Sequence, residues 1–190
     1  MEVLLAGHSF VRRARLDSGV RQFDFNLPNI KLHFSGRGGA TIIGHKTIDR
    51  KVEEILNVNS SIRILFLELG SNDLDLKRNP HLDIYEKARH LLKAAEKFSR
   101  HDIDVVLCLP IPRDEAKFPG SFDTTKHFNE IVKSMVEDKA KIHAWQHIGL
   151  FKTDSRFLCR DGVHLNAKGT LRYLFSIRAA IKTFCQMVIT

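Results

Sequence analysis

The chain reads as an α/β protein: a doubly wound domain on a five-stranded, mostly parallel sheet. Two observations predict this. Apolar runs recur at 2–6, 30–34, 62–69, 103–109 and, more weakly, 141–145, and Val, Ile, Leu and Phe dominate the middle three. Runs of that kind are strands covered on both faces. Between them lie stretches with apolar residues at helical spacing. Strands alternating with helices give parallel pairing through right-handed crossovers, with helices on both faces of the sheet.

Taken in order, the first strand ends at Gly7-His8-Ser9, and a helix begins near Phe10 with Ser9 a suitable N-cap. The second strand runs into Ser35-Gly36-Arg37-Gly38-Gly39-Ala40-Thr41. A helix over 42–56 follows, carrying Ile42, Ile43, Ile48, Val52, Ile55 and Leu56. The third strand is the most apolar and closes on Gly70-Ser71-Asn72-Asp73. Glu68 inside it is odd for a buried strand and requires a polar partner or a place on the crevice. Ile84, Ala88, Leu91, Leu92, Ala95 and Phe98 form the next helical stripe, with Asp83 as N-cap. After the fourth strand, Pro110, Pro112 and Lys117-Phe118-Pro119-Gly120 mark a longer loop, of the kind that shapes a substrate entrance. Phe128, Ile131, Val132, Met135 and Val136 mark a further helix. The fifth strand and Asp161-Gly162-Val163-His164 precede a long final helix over 167–187, with Leu171, Leu174, Phe175, Ile177 and Ile181 along it.

Composition narrows the class. A chain of 190 residues, 43% hydrophobic and 27% charged, is expected to form one domain over 1–190 with a proper core, not a disordered or fibrous protein. No apolar stretch approaches the roughly 20 residues of a membrane span. The N-terminus lacks a basic leader and a long apolar segment, so an intracellular, cytoplasmic chain is expected. Three cysteines, Cys108, Cys159 and Cys185, have no metal-type spacing and fit reduced thiols. Cys108 belongs to the core, and Cys159 falls near Asp161 without an identifiable base.

The net charge of +8 favours an anionic partner. Arg12, Arg13, Arg15 and Arg21 cluster after Ser9. A solvated helix face is the simpler account of them, because no aromatic-interleaved basic stripe accompanies them. As nucleic-acid contacts, Arg12, Arg13 and Arg15 are joined by Arg37 and Lys46.

The polar islands carry the chemistry. In an open parallel sheet the crevice outside the strand C-termini is where ligands bind, so islands scattered in sequence converge there. Ser9, lifted from the sheet edge by a Gly-containing turn, is a nucleophile once a base takes its proton. Asp161 and His164 share one loop, and a single turn lets the carboxylate receive the imidazole Nδ1 proton. The Asn72 amide can donate to developing negative charge. The glycines of the second island let backbone N–H groups approach a ligand. Neither phosphate-loop nor dinucleotide spacing is present.

Together these islands resemble the blocks of the SGNH hydrolases, the GDSL-like esterase/lipase family, across nearly the whole chain from Gly7 to Gly169. The resemblance implies a flavodoxin-like three-layer α/β/α sandwich and a serine esterase acting on small acetyl or short-acyl esters of a lipid or carbohydrate. It implies no metal or organic cofactor. Ser9 matches the nucleophile, Asp161 and His164 the acid and base. Ser9, Gly39 and Asn72 match the oxyanion donors. The family usually has Gly-Asp-Ser where this chain has Gly7-His8-Ser9. That departure leaves a second reading open: a catalytically impaired binding module, like those of some retroelement-encoded or nucleic-acid-linked proteins.

Overall fold

A computed structural model describes residues 1–20, 25, 27–75, 80–151 and 155–189. Five strands, β1 (Glu2–Gly7), β2 (Lys31–Gly36), β3 (Ile62–Glu68), β4 (Asp104–Leu109) and β5 (Ile142–Gln146), form one sheet in the order β2-β1-β3-β4-β5. Every pair is parallel. The helices are α1 (Ser9–Val20), α2 (Asp49–Val58), α3 (Ile84–Ser99), α4 (Ser121–Val136) and α5 (Ala167–Ile189). Arg21 lies outside the described residues.

Alternate residues of each strand enter different layers, as the two-residue period of a strand requires. Leu4 and Ala6 of β1, with Leu65 and Leu67 of β3, pack against α2, α3 and α4 through Val52, Leu91 and Phe128. Val3 and Leu5, with Ile64 and Phe66, face Phe10 and Val11 of α1 and Leu174, Ile177 and Ile181 of α5. The strands are therefore apolar on both sides, and this three-layer sandwich is the architecture expected from the sequence. Leu171 and Phe175 are exposed on α5, outside its buried stripe.

Two local expectations are corrected. The helix after β2 begins at Asp49, not near Ile42. Gly44 takes φ +92°, and the Asp73 carboxylate accepts the Ile42 N–H with both oxygens at 3.0 Å. The left-handed Gly44 breaks any helix through this stretch, and carbonyl groups a helix would turn to its own later amides go elsewhere: the Thr41 hydroxyl donates to the Ile43 carbonyl at 2.8 Å and the Thr41 N–H to the Lys46 carbonyl at 3.3 Å. The second island is consequently a turn and loop, not a helix N-terminus. Secondly, Ser9 is the first helical residue and His8 supplies the cap, its Nδ1 accepting the Phe10 N–H at 3.3 Å. Elsewhere the caps follow expectation: Asp83 accepts the Glu86 N–H and the Glu86 carboxylate accepts the Asp83 N–H, a full capping box.

Candidate active site

Strand register brings three of the islands to one row. Gly7 pairs with Gly36 on one side and with Glu68 on the other, so β2, β1 and β3 leave the sheet together. Close backbone approach there needs glycine. A Cβ on Gly7 would sit 2.3 Å from the Glu68 carbonyl oxygen, and one on Gly36 would sit 2.2 Å from the Arg12 nitrogen.

Beyond that row the islands are tied to each other. The Asn72 Nδ2 donates to the Ala40 carbonyl at 2.9 Å, which leaves the second hydrogen of that amide to point elsewhere. Asp73 holds the Ile42 N–H and, at 3.4 Å, the Ile43 N–H. Gly39 adopts φ +70° in the turn between them. Arg113, from the loop after β4, donates to the Ser71 carbonyl and to Asp75, each at 3.1 Å. The next residue, Asp114, donates its N–H to Gly162 at 2.9 Å, and Lys117 donates to the Arg160 carbonyl. The third island is thus linked through the 110–120 loop to the fourth.

In the fourth island the Asp161 Oδ2 lies 2.7 Å from the His164 Nδ1. The Asp161 Oδ1 accepts the N–H groups of Val163 and His164, each at 2.9 Å. Burial pushes the Asp161 carboxyl up, but the backbone and ring hydrogen bonds from His164 and the Val163 N–H outweigh it and hold it far below its ordinary range. A carboxylate so fixed orients the imidazole with Nδ1–H toward it and Nε2 available as a base. Cys159 braces the loop: its N–H donates to the His164 carbonyl at 2.6 Å and its thiol to Leu165 at 3.3 Å. The first island leaves the sheet beside Glu68, two residues before the third, and the fourth is tied to the third through Arg113 and Asp114, so the first and fourth islands lie at the same end of the sheet.

A pocket of about 360 Å³ opens beside the third island, lined by Ser71, Leu74, Ile111, Arg113, Phe118 and Thr125 among others. Its size falls in the range of small-molecule sites. Arg12, Arg37 and Lys46 gather on the other side, around the second island. The Arg37 Nη1 donates to the Thr47 carbonyl at 3.4 Å, and the Lys46 Nζ lies 3.7 Å from the position of a Cβ on Gly39.

Sequence reasoning missed the group beneath Ser9. Glu68 is 1% exposed, yet its Oε2 accepts from the His147 Nε2 at 2.9 Å and from the Tyr173 hydroxyl at 3.1 Å. Burial, together with that carboxylate, pushes both the Cys108 thiol and the Tyr173 hydroxyl well up. The sequence marked Glu68 as in need of a polar partner, and position pointed to one: His147 stands just past the end of β5, where the other islands stand relative to their strands.

Glu68, Cys108 and His147 bring ligand-type atoms within 4.8 Å of one another. Their hydrogen bonding, however, is that of a solvated-by-protein carboxylate and not of a metal-ligand set. The Ser176 hydroxyl accepts from Trp145 and Ile148, so its single hydrogen goes to the His147 Nδ1 at 3.3 Å. The His8 Nδ1 likewise faces a donor, Phe10 N–H. Both rings therefore carry their proton on Nε2, toward Glu68. A metal-ligating histidine instead gives away the hydrogen of its outer nitrogen.

Burial pushes the His8 imidazole down to about 4, against the pull of the Glu68 charge. Between its ordinary 6.5 and about 4, the unfolded chain binds a proton that the native chain refuses. Stability therefore rises with pH across that window. Urea unfolding should show a midpoint that falls as the pH drops through it. His8→Asn should remove a part of that fall worth up to about 3 kcal/mol.

No family profile matches the chain, and no curated protein does. Solved structures do. An acetyl xylan esterase, AlAXEase, shares 17% identity over 95% of this chain and 100% of its own, with a TM-score of 0.74. A member of the lipolytic protein G-D-S-L family from Veillonella parvula DSM 2008 shares 21% over 93% and 95%, with a TM-score of 0.72. Est24, a carbohydrate acetylesterase from Sinorhizobium meliloti, shares 15% over 97% and 99%, with a TM-score of 0.69. Similar to these structures over nearly its whole length, the chain has the SGNH hydrolase fold, that of the GDSL-like esterases and lipases.

Proposed function

We propose that the protein is a serine esterase that hydrolyses a small carboxylic ester through an acyl-enzyme. The observation that carries this reading is the Asp161–His164 pair. A carboxylate fixed by three hydrogen bonds orients an imidazole at the end of the sheet where Ser9 begins α1. Similar structures that are acetylesterases support an acetyl or short-acyl ester of a carbohydrate or lipid as the substrate.

In this reading the Ser9 Oγ attacks the carbonyl carbon while the His164 Nε2 takes its proton. Asp161 stabilises the imidazolium so formed. The carbonyl oxygen becomes an oxyanion held by the N–H groups of Ser9 and Gly39 and by the Asn72 amide hydrogen not engaged by Ala40. Collapse expels the alcohol, which takes the proton from His164. A water molecule, deprotonated by the same imidazole, then attacks the acyl-Ser9 carbonyl; the bond to the Ser9 Oγ breaks, His164 returns the proton to that oxygen, and the acid leaves.

Labelling with a fluorophosphonate probe tests the assignment. The folded protein is expected to take up one phosphonyl group on Ser9, and a folded protein that stays unlabelled rejects it. Asn72→Ala should leave a slow remnant of ester turnover, about 10²–10³-fold below the parent in kcat, because one oxyanion donor is lost. A kcat within a factor of about three of the parent would remove Asn72 from the oxyanion site, since that corresponds to under about 1 kcal/mol.

A further inference from the structure

Ser9 is the first residue of α1, so its direction is set by the residue that caps that helix. That residue is His8. Its N–H donates to the Glu68 carbonyl at 3.1 Å, its Nδ1 accepts the Phe10 N–H at 3.3 Å, and its Nε2 faces the Glu68 Oε1 at 3.7 Å. Both facing atoms are buried and have no hydrogen-bond partner among the described residues, so each has only the other to turn to, across a gap slightly longer than a hydrogen bond. His8 is 2% exposed and Glu68 1%, and Gly7 leaves no room for the turn to shift against β3. One glutamate thus holds the backbone of the residue before Ser9 and sets its carboxylate against that residue's ring. On the far side His147 and Tyr173 hold that glutamate in turn.

We propose that His8 and Glu68 are a positioning pair for Ser9: the neutral ring caps α1 through Nδ1, turns its Nε2–H to the buried carboxylate, and fixes the direction in which the Ser9 hydroxyl leaves the turn. The proposal rests on the reading of Ser9 as the nucleophile. It also accounts for a histidine in the nucleophile turn. An aspartate caps a helix as well as any residue. At position 8 it would set a second carboxylate against Glu68 in a dry site, where two like charges resist ionising together. Histidine offers the same acceptor to Phe10 and a hydrogen, not a charge, to Glu68.

The test exchanges donor and acceptor. His8→Asp puts carboxylate against carboxylate, and Glu68→Gln puts an amide N–H against the ring N–H. Together they restore a donor facing an acceptor. At a temperature where all four proteins are folded, each single variant is expected to slow fluorophosphonate labelling of Ser9 by about 10²-fold, the effect of a misplaced reacting group. The double variant should recover at least about tenfold over His8→Asp, the size of one restored charge-assisted contact. His8→Asp labelled at the parent rate, or a double variant no faster than it, overturns the pair.

If the parent itself is unlabelled, the esterase reading falls, and imidazole nitrogen NMR of the parent decides the pair independently. His8 should show an unprotonated Nδ1 and a protonated Nε2 at neutral pH. The opposite tautomer would refute the arrangement.

Discussion

Ser9→Ala is expected to abolish ester turnover, lowering kcat by about 10⁶-fold, as loss of a triad nucleophile does. The structure makes this substitution a clean one. The cap of α1 is His8, so the Ser9 hydroxyl is not needed to start the helix. Alanine is the best helix former, and the change removes one polar atom from a half-buried position. The unfolding midpoint should therefore stay close to that of the parent while hydrolysis of p-nitrophenyl acetate disappears. Equal hydrolysis by the variant and the parent would refute the role given to Ser9.

Asp161→Asn should cost about 10⁴-fold in kcat with little change in fold, for a reason specific to this loop. The Asp161 Oδ1 accepts two backbone N–H groups, so an asparagine will place its carbonyl oxygen there. Its NH₂ then meets the His164 Nδ1 at the place where Oδ2 stood. Two donors cannot share that contact, so His164 must shift its proton to Nε2 and lose the lone pair that takes the serine proton. Kinetics of the variant against pH, alongside its unfolding curve, separate this from misfolding. A folded variant retaining more than about a tenth of the parent kcat, a barrier change under about 1.4 kcal/mol, would show that Asp161 does not set the tautomer.

The legible part of this chain was the part determined locally. Buried strands such as Ile62–Glu68 announce themselves because both faces are covered and the run is apolar throughout. The Asp161–His164 contact spans three residues, so the sequence alone could propose it. The start of α2 was misplaced because the stretch before Asp49 is held as a loop, with Gly44 left-handed and the Ile42 and Ile43 amides tied to Asp73, some thirty residues on. The network under Ser9 was invisible for the same reason: Glu68 meets His147 across 79 residues and Tyr173 across 105. Spacing rules see neighbours along the chain. They cannot see a histidine after β5 and a tyrosine on α5 meeting a glutamate at the end of β3.

The order of the islands along the polypeptide also has a consequence for its synthesis. Ser9 leaves the ribosome well before His164, and Tyr173 follows later still. β1 needs β2 and β3 on either side before it is held at all. In the proposed reading a nascent chain therefore carries an unactivated serine until His164 has emerged and α5 has docked.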